Sequence, residues 1–329
     1  MSKVVGVVIR RFQINRRVIG PVPLKDRDVA RFRYGRETLV ARGGEGEVFR
    51  QKQAGYTMAV KRPRGDVPPQ SIGGCMVDLS DYYVRRDGQV LVEVSHPNIV
   101  TCYAVWEQNG KMHVIQEYVG PNLFKQVERW GKGSKLPLPQ ALFIVREVAL
   151  ALEYIHNRRM AHADIKPENI LIDHLFERDE WPVVKVIDFA LSRRPGQRLS
   201  VESDTRMYGT PNYMDEDRLF YEAPEKKHDV YALGIILFEL LTGQAVVEGS
   251  RPSPAKALLS IRELKAKIQK AELPGEAIRG LILRMTRRLG IIPDGPSLVR
   301  YIDENIGDLL QNTRGLSASL NRYFREVRP

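Results

Sequence analysis

The spacing of apolar residues changes once along this 329-residue chain, and that change bounds the folds open to it. In the first half they come in short β-branched runs. Residues 3–9 are rich in valine and isoleucine, 37–40 and 47–50 flank a cluster of glycines, and 57–61 ends at Arg62-Pro63. Each run reads as a strand. Later, apolar residues recur every three or four positions over 138–156, 229–242, 254–270, 275–289 and 296–311, with Pro or Gly between most of these segments. That spacing predicts amphipathic helices. A β-rich lobe therefore precedes a helical one, which gives an α+β fold. The length suits one large domain or two closely joined lobes. No internal repeat supports a solenoid.

Composition removes several classes. Hydrophobic residues make up 43% and charged residues 28%, which excludes a wholly disordered chain. Cys75 and Cys102 lack zinc-ligand spacing and read as reduced, buried thiols in a cytoplasmic setting. The longest strongly apolar stretch, 231–241, contains Glu239 and is too short to cross a bilayer, which needs about 20 residues. Residues 4–9 are too short for a signal-peptide core, and Arg10 and Arg11 follow. The net charge of +11 is partly concentrated in residues 1–37, where ten basic side chains face three acidic ones. An acidic partner is the functional reading of that segment. A solvated strand and linker is preferred, because no aromatic platform marks it for nucleic acid.

The chemistry gathers in four places. Ala41, Gly43, Gly44, Gly46 and Val48 belong to a glycine-rich connection between two predicted strands, where backbone amides can approach phosphate oxygens. A hairpin is the simpler explanation of such a cluster, since neither a Walker nor a Rossmann context surrounds it. Next, Lys61 closes the strand Ala59-Val60-Lys61. The run 162–169, His-Ala-Asp-Ile-Lys-Pro-Glu-Asn, then sets Asp164, Lys166 and Asn169 within six residues. Finally, Asp188-Phe189-Ala190 follows the β-branched run 183–187.

In order and spacing these motifs resemble the signature set of the eukaryotic-type protein kinase superfamily. The stretches 96–100 (His-Pro-Asn-Ile-Val), 116–119 (Gln-Glu-Tyr-Val), 209–214 (Gly-Thr-Pro-Asn-Tyr-Met) and 229–234 (Asp-Val-Tyr-Ala-Leu-Gly) extend the resemblance over about 37–311. It implies a bilobal protein kinase fold: an antiparallel five-stranded N-lobe with one helix over 37–118, and a mostly helical C-lobe over 119–311. A basic extension over 1–36 and a tail over 312–329 flank it. The implied activity is transfer of the ATP γ-phosphoryl group to serine or threonine hydroxyls of a protein substrate, with Mg2+. By the same resemblance Lys61 meets the α and β phosphates, Asp164 is the base and Lys166 steadies the transferred group. Asn169 and Asp188 hold magnesium. Val48, Ala59 and Leu171 would enclose the adenine, whose edge would meet the backbone from Glu117 to Val119.

Five departures from the family pattern leave a nucleotide-binding pseudokinase, acting as a scaffold or allosteric partner, as the alternative: Ala41, Asp87, Ala163, Ala190 and an altered segment end. The lysine partner is expected at Asp87, which shares a helical face with Tyr83, Val84, Val90 and Leu91, whereas Glu93 lies off that stripe. Aspartate is one methylene short of the family's glutamate. Lengthening the pair from about 4 to about 5.5 Å would weaken it by about 1 kcal/mol. Gly88 would loosen the same helix. Ala163 removes the arginine that gathers an activation-loop phosphate, so Ser200, Ser203, Thr205 and Tyr208 read as loop hydroxyls. Ala190 should stiffen the magnesium loop. The segment end falls at 215–217 rather than at Ala223-Pro224-Glu225, and the arginine that pairs there in the family is expected to be replaced by Gly295.

Overall fold

The computed structural model describes residues 3–7, 12–14, 17–19, 37–44, 46–53, 56–72, 74–131, 133–174, 181–194, 197, 209–219, 223–249, 252–287 and 290–310. The tail over 312–329, most of the extension over 1–36 and the hydroxyls of Ser200, Ser203, Thr205 and Tyr208 lie outside them. Two compact units result. One draws on Met1–Gly120 and Val186–Ser192, the other on Pro121–Lys185, Arg193–Arg198 and Met207–Pro329.

The first unit is built on strands β1 (Lys3–Val7), β2 (Phe12–Ile14), β3 (Arg17–Ile19), β4 (Glu37–Arg42), β5 (Glu47–Gln53), β6 (Tyr56–Arg62), β7 (Gln70–Ile72) and β8 (Cys75–Val77). Helix α1 (Leu79–Leu91) and strands β9 (Cys102–Gln108) and β10 (Lys111–Glu117) complete it. The five antiparallel strands expected of the N-lobe are present in the order β9-β10-β6-β5-β4, and β1 adds a sixth beside β9. Part of the N-terminal basic segment is thus sheet. Two short ribbons, β2–β3 and β7–β8, stand apart from it.

Alternation along the strands sorts the sheet into two faces. Met58, Val60, Ala104, Trp106 and Ile115 cluster on one. On the other, Val48 pairs with Lys61, Lys61 with Val114, and Val114 with Val105, beneath α1. Asp78 caps α1 by accepting from the Asp81 N–H, and the Asp81 carboxylate accepts from Met112 N–H at 2.7 Å. Helix and sheet are therefore tied at the first turn. Cys75 is exposed, contrary to the expectation of two buried thiols, because it opens β8 on the outlying ribbon. Cys102 is buried, and burial pushes its thiol up to about 12.

The second unit holds α2 (Leu123–Trp130), α3 (Leu138–Asn157), a 3-10 turn (Pro167–Asn169) and β11 (Ile170–Ile172), which pairs with β12 (Val184–Val186). Helices α4 (Glu216–Leu219), α5 (Lys226–Thr242), α6 (Pro254–Lys270), α7 (Glu276–Met285) and α8 (Gly295–Leu309) follow. Helices α3 and α5 are apolar on nearly every side and form the buried centre. Helix α8 packs on α3. There Gly295 is needed for space: a Cβ at this position would lie 2.4 Å from the Glu153 nitrogen. Its own N–H donates to His156 Nδ1 at 2.8 Å. No described helix is long and apolar enough to cross a membrane.

The ion pair expected to be lost with an arginine at 295 is present. Arg287 supplies the guanidinium instead, reaching Asp215 at 2.6 Å and Asp217 at 2.5 Å. Glu225, in the Ala-Pro-Glu run, does something else. It caps α5, with its N–H donating to His228 Nδ1 at 2.8 Å.

Candidate phosphoryl-transfer site

In the first unit, β6 ends by presenting Lys61 on the α1 face of the sheet. The ammonium lies 2.9 Å from Asp87 Oδ2 and 2.7 Å from Asp188 Oδ1. Asp87 is buried, and its second oxygen accepts from the Phe189 N–H at 2.7 Å. Burial, with the charge of Asp188 added, pushes Asp87 above the usual carboxylate range against the pull of Lys61.

The shorter aspartate reaches Lys61 because the helix comes closer. A Cβ on Gly88 would lie 2.9 Å from Val114 Cγ2 and 3.2 Å from Val105 Cγ1, so only glycine lets α1 sit this low on β9 and β10. The lengthened pair expected from the missing methylene is not found, and Gly88 is the reason. Glu93 is exposed beyond the end of α1.

Asp188 belongs to the 186–192 segment of the first unit. Val186 N–H donates to Asn98 O at 2.8 Å and Val100 N–H to Val186 O at 3.0 Å, which fixes the start of that segment within the unit. Asp188 has a positive φ of 68°. Ala190 is not among the positive-φ residues, so alanine in place of the family's glycine demands no strained backbone there.

The glycine-rich connection joins β4 to β5, with Ala41 opposite Val48 in register. Gly43 N–H donates to Gly46 O at 2.9 Å. Glu45 lies outside the described residues. Ala59 and Lys61 are two residues apart on β6 and share a face with Val48. At the end of β10, Glu117 N–H donates to Thr101 O at 2.9 Å, and Val119 is partly exposed just beyond.

In the second unit, Asp164 is held from four directions. Lys166 Nζ lies 2.5 Å from Oδ2 and Asn169 Nδ2 3.1 Å from the same oxygen. The N–H and hydroxyl of Thr210 donate to Oδ1 at 3.1 and 3.0 Å. Lys166 also reaches the Thr210 hydroxyl at 3.0 Å, and Asn169 Nδ2 reaches the Asp164 carbonyl at 2.8 Å. Leu171 follows in β11, partly exposed.

Beneath this loop is a residue whose role the sequence did not reveal. Asp229, fully buried in the first turn of α5, accepts from His162 N–H at 2.7 Å and Ala163 N–H at 2.9 Å, and pairs with His156 Nε2 at 2.9 Å. Burial pushes its carboxyl up, but these hydrogen bonds and the nearby histidines outweigh it and hold the group below the ordinary range. The grip fixes the backbone of the loop, including Ala163 at φ 73°. Asp229 opens the motif 229–234 that the sequence shows, but its partner His156 lies 73 positions away and nothing local marks the pairing.

Beside the loop is a groove of 690 Å3, lined among others by Phe124, Val127, Glu168, Tyr213 and Glu239. Glu168 Oε2 is buried there without a hydrogen-bond partner among the described residues. Glu239 accepts from the Tyr213 hydroxyl at 3.1 Å and from Val246 N–H at 3.0 Å, and burial pushes its carboxyl up to about 7.

Comparison with known proteins places the chain in a family. The family profile described as protein kinase domain matches residues 34–288. The chain is 32% identical over 205 residues to the serine/threonine-protein kinase PrkC of Bacillus subtilis, covering 62% of this chain and 30% of that protein. It is 27% identical over 235 residues to the cAMP-dependent protein kinase catalytic subunit PRKX of Homo sapiens, covering 67% and 58%. To the probable serine/threonine-protein kinase PknB of Lactococcus lactis it is 30% identical over 172 residues, covering 52% and 26%. The match spans less than two thirds of each of these relatives.

Proposed function

Since the chain belongs to the protein kinase family, whose domain it carries over residues 34–288, we propose that it is an active serine/threonine protein kinase that transfers the ATP γ-phosphoryl group to hydroxyls of a protein substrate. The observation that carries this reading is Asp164, a carboxylate oriented by an ammonium, an amide and both donors of Thr210.

Asp164 takes the proton of the substrate hydroxyl, whose oxygen attacks the γ phosphorus while the bond to the bridging oxygen breaks and ADP leaves. Lys166, within reach of both Asp164 and Thr210, offsets negative charge on the group in flight. Lys61 neutralises the α and β phosphates and is itself aimed by Asp87. Val48, Ala59 and Leu171 supply apolar contacts to the adenine, while Glu117 and Val119 offer backbone groups to its edge. The glycines at 43, 44 and 46 let backbone amides approach phosphate.

The residues fit Mg2+. Asn169 spends its amide protons on Asp164, which leaves its side-chain oxygen to face a cation. Asp188 contributes a partly exposed carboxylate. These are hard oxygen donors of the kind magnesium takes. The ion, when bound, supplies charge neutralisation on the phosphates.

Radiolabel transfer from ATP to a generic basic protein tests the proposal. Purified chain should label the protein, and Asp164→Ala should lower the rate by about 10² to 10⁴. Full activity in that variant would remove Asp164 as the base. Measurable ATP binding without any transfer would establish the scaffold reading instead.

A further inference from the structure

The first unit contains a charged network that the proposed chemistry leaves unused. Just after β6, Arg64 makes a two-point pair with Asp66, Nε to Oδ1 and Nη2 to Oδ2, both at 3.0 Å. Its third donor, Nη1, reaches the carbonyl oxygen of Gly43 in the glycine-rich connection at 3.1 Å. The Arg64 main chain is fixed as well, since its N–H donates to the hydroxyl of Ser80, fully buried in the first turn of α1, at 2.8 Å. Arg42, which precedes Gly43, pairs with Glu47 at 2.7 Å and lies 3.6 Å from Asp66. The connection is thus gripped from one side by a guanidinium whose own plane is set by a carboxylate.

In a planar trans peptide the C=O and the following N–H point in opposite directions. Holding the Gly43 oxygen toward Arg64 therefore turns the Gly44 N–H away from it. Two glycines in sequence put no side chain on this peptide, and the bond from Gly43 N–H to Gly46 O at 2.9 Å restrains the preceding peptide, 42–43, rather than this one.

We propose that Arg64, aimed by Asp66, is a positioning residue that fixes the Gly43–Gly44 peptide and thereby prepares the glycine-rich connection to bind the phosphates of the nucleotide. This rests on the nucleotide reading above. Arg64 acts through the loop and does not itself meet the nucleotide. A lysine would keep the charge but lacks the planar fork that satisfies Asp66 and Gly43 together.

The test compares equilibrium binding of ATP and of adenosine to the whole chain carrying Arg64→Ala, Arg64→Lys or Asp66→Asn, with thermal unfolding of each variant. A positioning role predicts that ATP affinity falls about tenfold in both Arg64 variants and less in Asp66→Asn. Adenosine, which has no phosphate, should bind as to the unaltered chain, and KM for ATP should rise with kcat retained. Equal losses for ATP and adenosine, or no loss for either, would overturn the proposal. So would wild-type ATP affinity in Arg64→Lys, which would make charge the cause rather than a held peptide. An unaltered chain that binds neither compound would overturn the nucleotide reading itself, a result distinct from all of these.

Discussion

Replacing Gly88 by alanine isolates the close approach of α1 to the sheet. The new methyl carbon would start 2.9 Å from Val114 Cγ2 and 3.2 Å from Val105 Cγ1. Comfortable carbon contacts begin at about 3.6 Å, so the helix must lift by about 0.7 to 1 Å. The Lys61–Asp87 pair, now 2.9 Å long, would then open to about 3.8 Å. At an effective dielectric of about 20 its attraction falls from about 5.7 to about 4.4 kcal/mol, a loss of about 1.3 kcal/mol. Alanine returns about 1 kcal/mol of helix propensity in the same position. Global stability should therefore change by less than about 1 kcal/mol, while kcat/KM for phosphotransfer drops about tenfold through a displaced Lys61. The decisive assay is a double-mutant cycle. Asp87→Glu adds the methylene that a raised helix requires, so Gly88→Ala with Asp87→Glu should recover most of the activity, whereas Asp87→Glu alone should crowd Lys61 and lose some. Favourable coupling of about 1 kcal/mol between the two sites is expected. Simple additivity, or wild-type kcat/KM in Gly88→Ala, would refute the idea that glycine at 88 compensates for aspartate at 87.

Three further outcomes follow from the second unit. Glu239, pushed up to about 7 by burial, keeps a proton in the folded state that the unfolded chain releases near 4.5. Stability should decline as pH rises from about 4.5 to about 7, by up to about 3 kcal/mol, and Glu239→Gln should flatten that slope in pH-dependent thermal unfolding. Arg287→Ala leaves Asp215 and Asp217 without their shared guanidinium and should cost about 2 kcal/mol by denaturant titration; adding Asp215→Asn and Asp217→Asn should return part of it, since paired groups removed together cost less than one removed alone. Gly295→Ala drives a methyl into the backbone of α3 at 152–153 and should cost more than about 2 kcal/mol by the same measurement, unlike an ordinary exposed glycine.

The helices were legible because their apolar spacing is a local property. The segment expected over 138–156 is α3 at Leu138–Asn157, and that expected over 254–270 is α6 at Pro254–Lys270, with Ser253 as its cap. Strands were harder to bound. Residues 102–108 and 111–117 form β9 and β10 but carry no clean alternation, since nearly every residue of each is buried. The β1 pairing with β9 was not legible at all, because a strand's partner is set across the fold rather than by its own residues.

By itself the sequence determined that a β-rich part precedes a helical one, and it carried the family motifs with the side chains proposed for phosphoryl transfer, since each is written within a few consecutive positions. Tertiary structure alone decided who meets whom. It decided that Asp188, 127 positions from Lys61, shares that lysine with Asp87. It supplied Arg287 where the family alignment left Gly295, and let Gly295 close the contact between α8 and α3. It also turned Gly88 from an apparent weakness in a helix into the condition for its ion pair. Local patterns encode periods and turns through neighbours along the chain. Ion pairs and close approaches depend on distances between segments far apart in sequence, which packing sets only when the whole chain has folded.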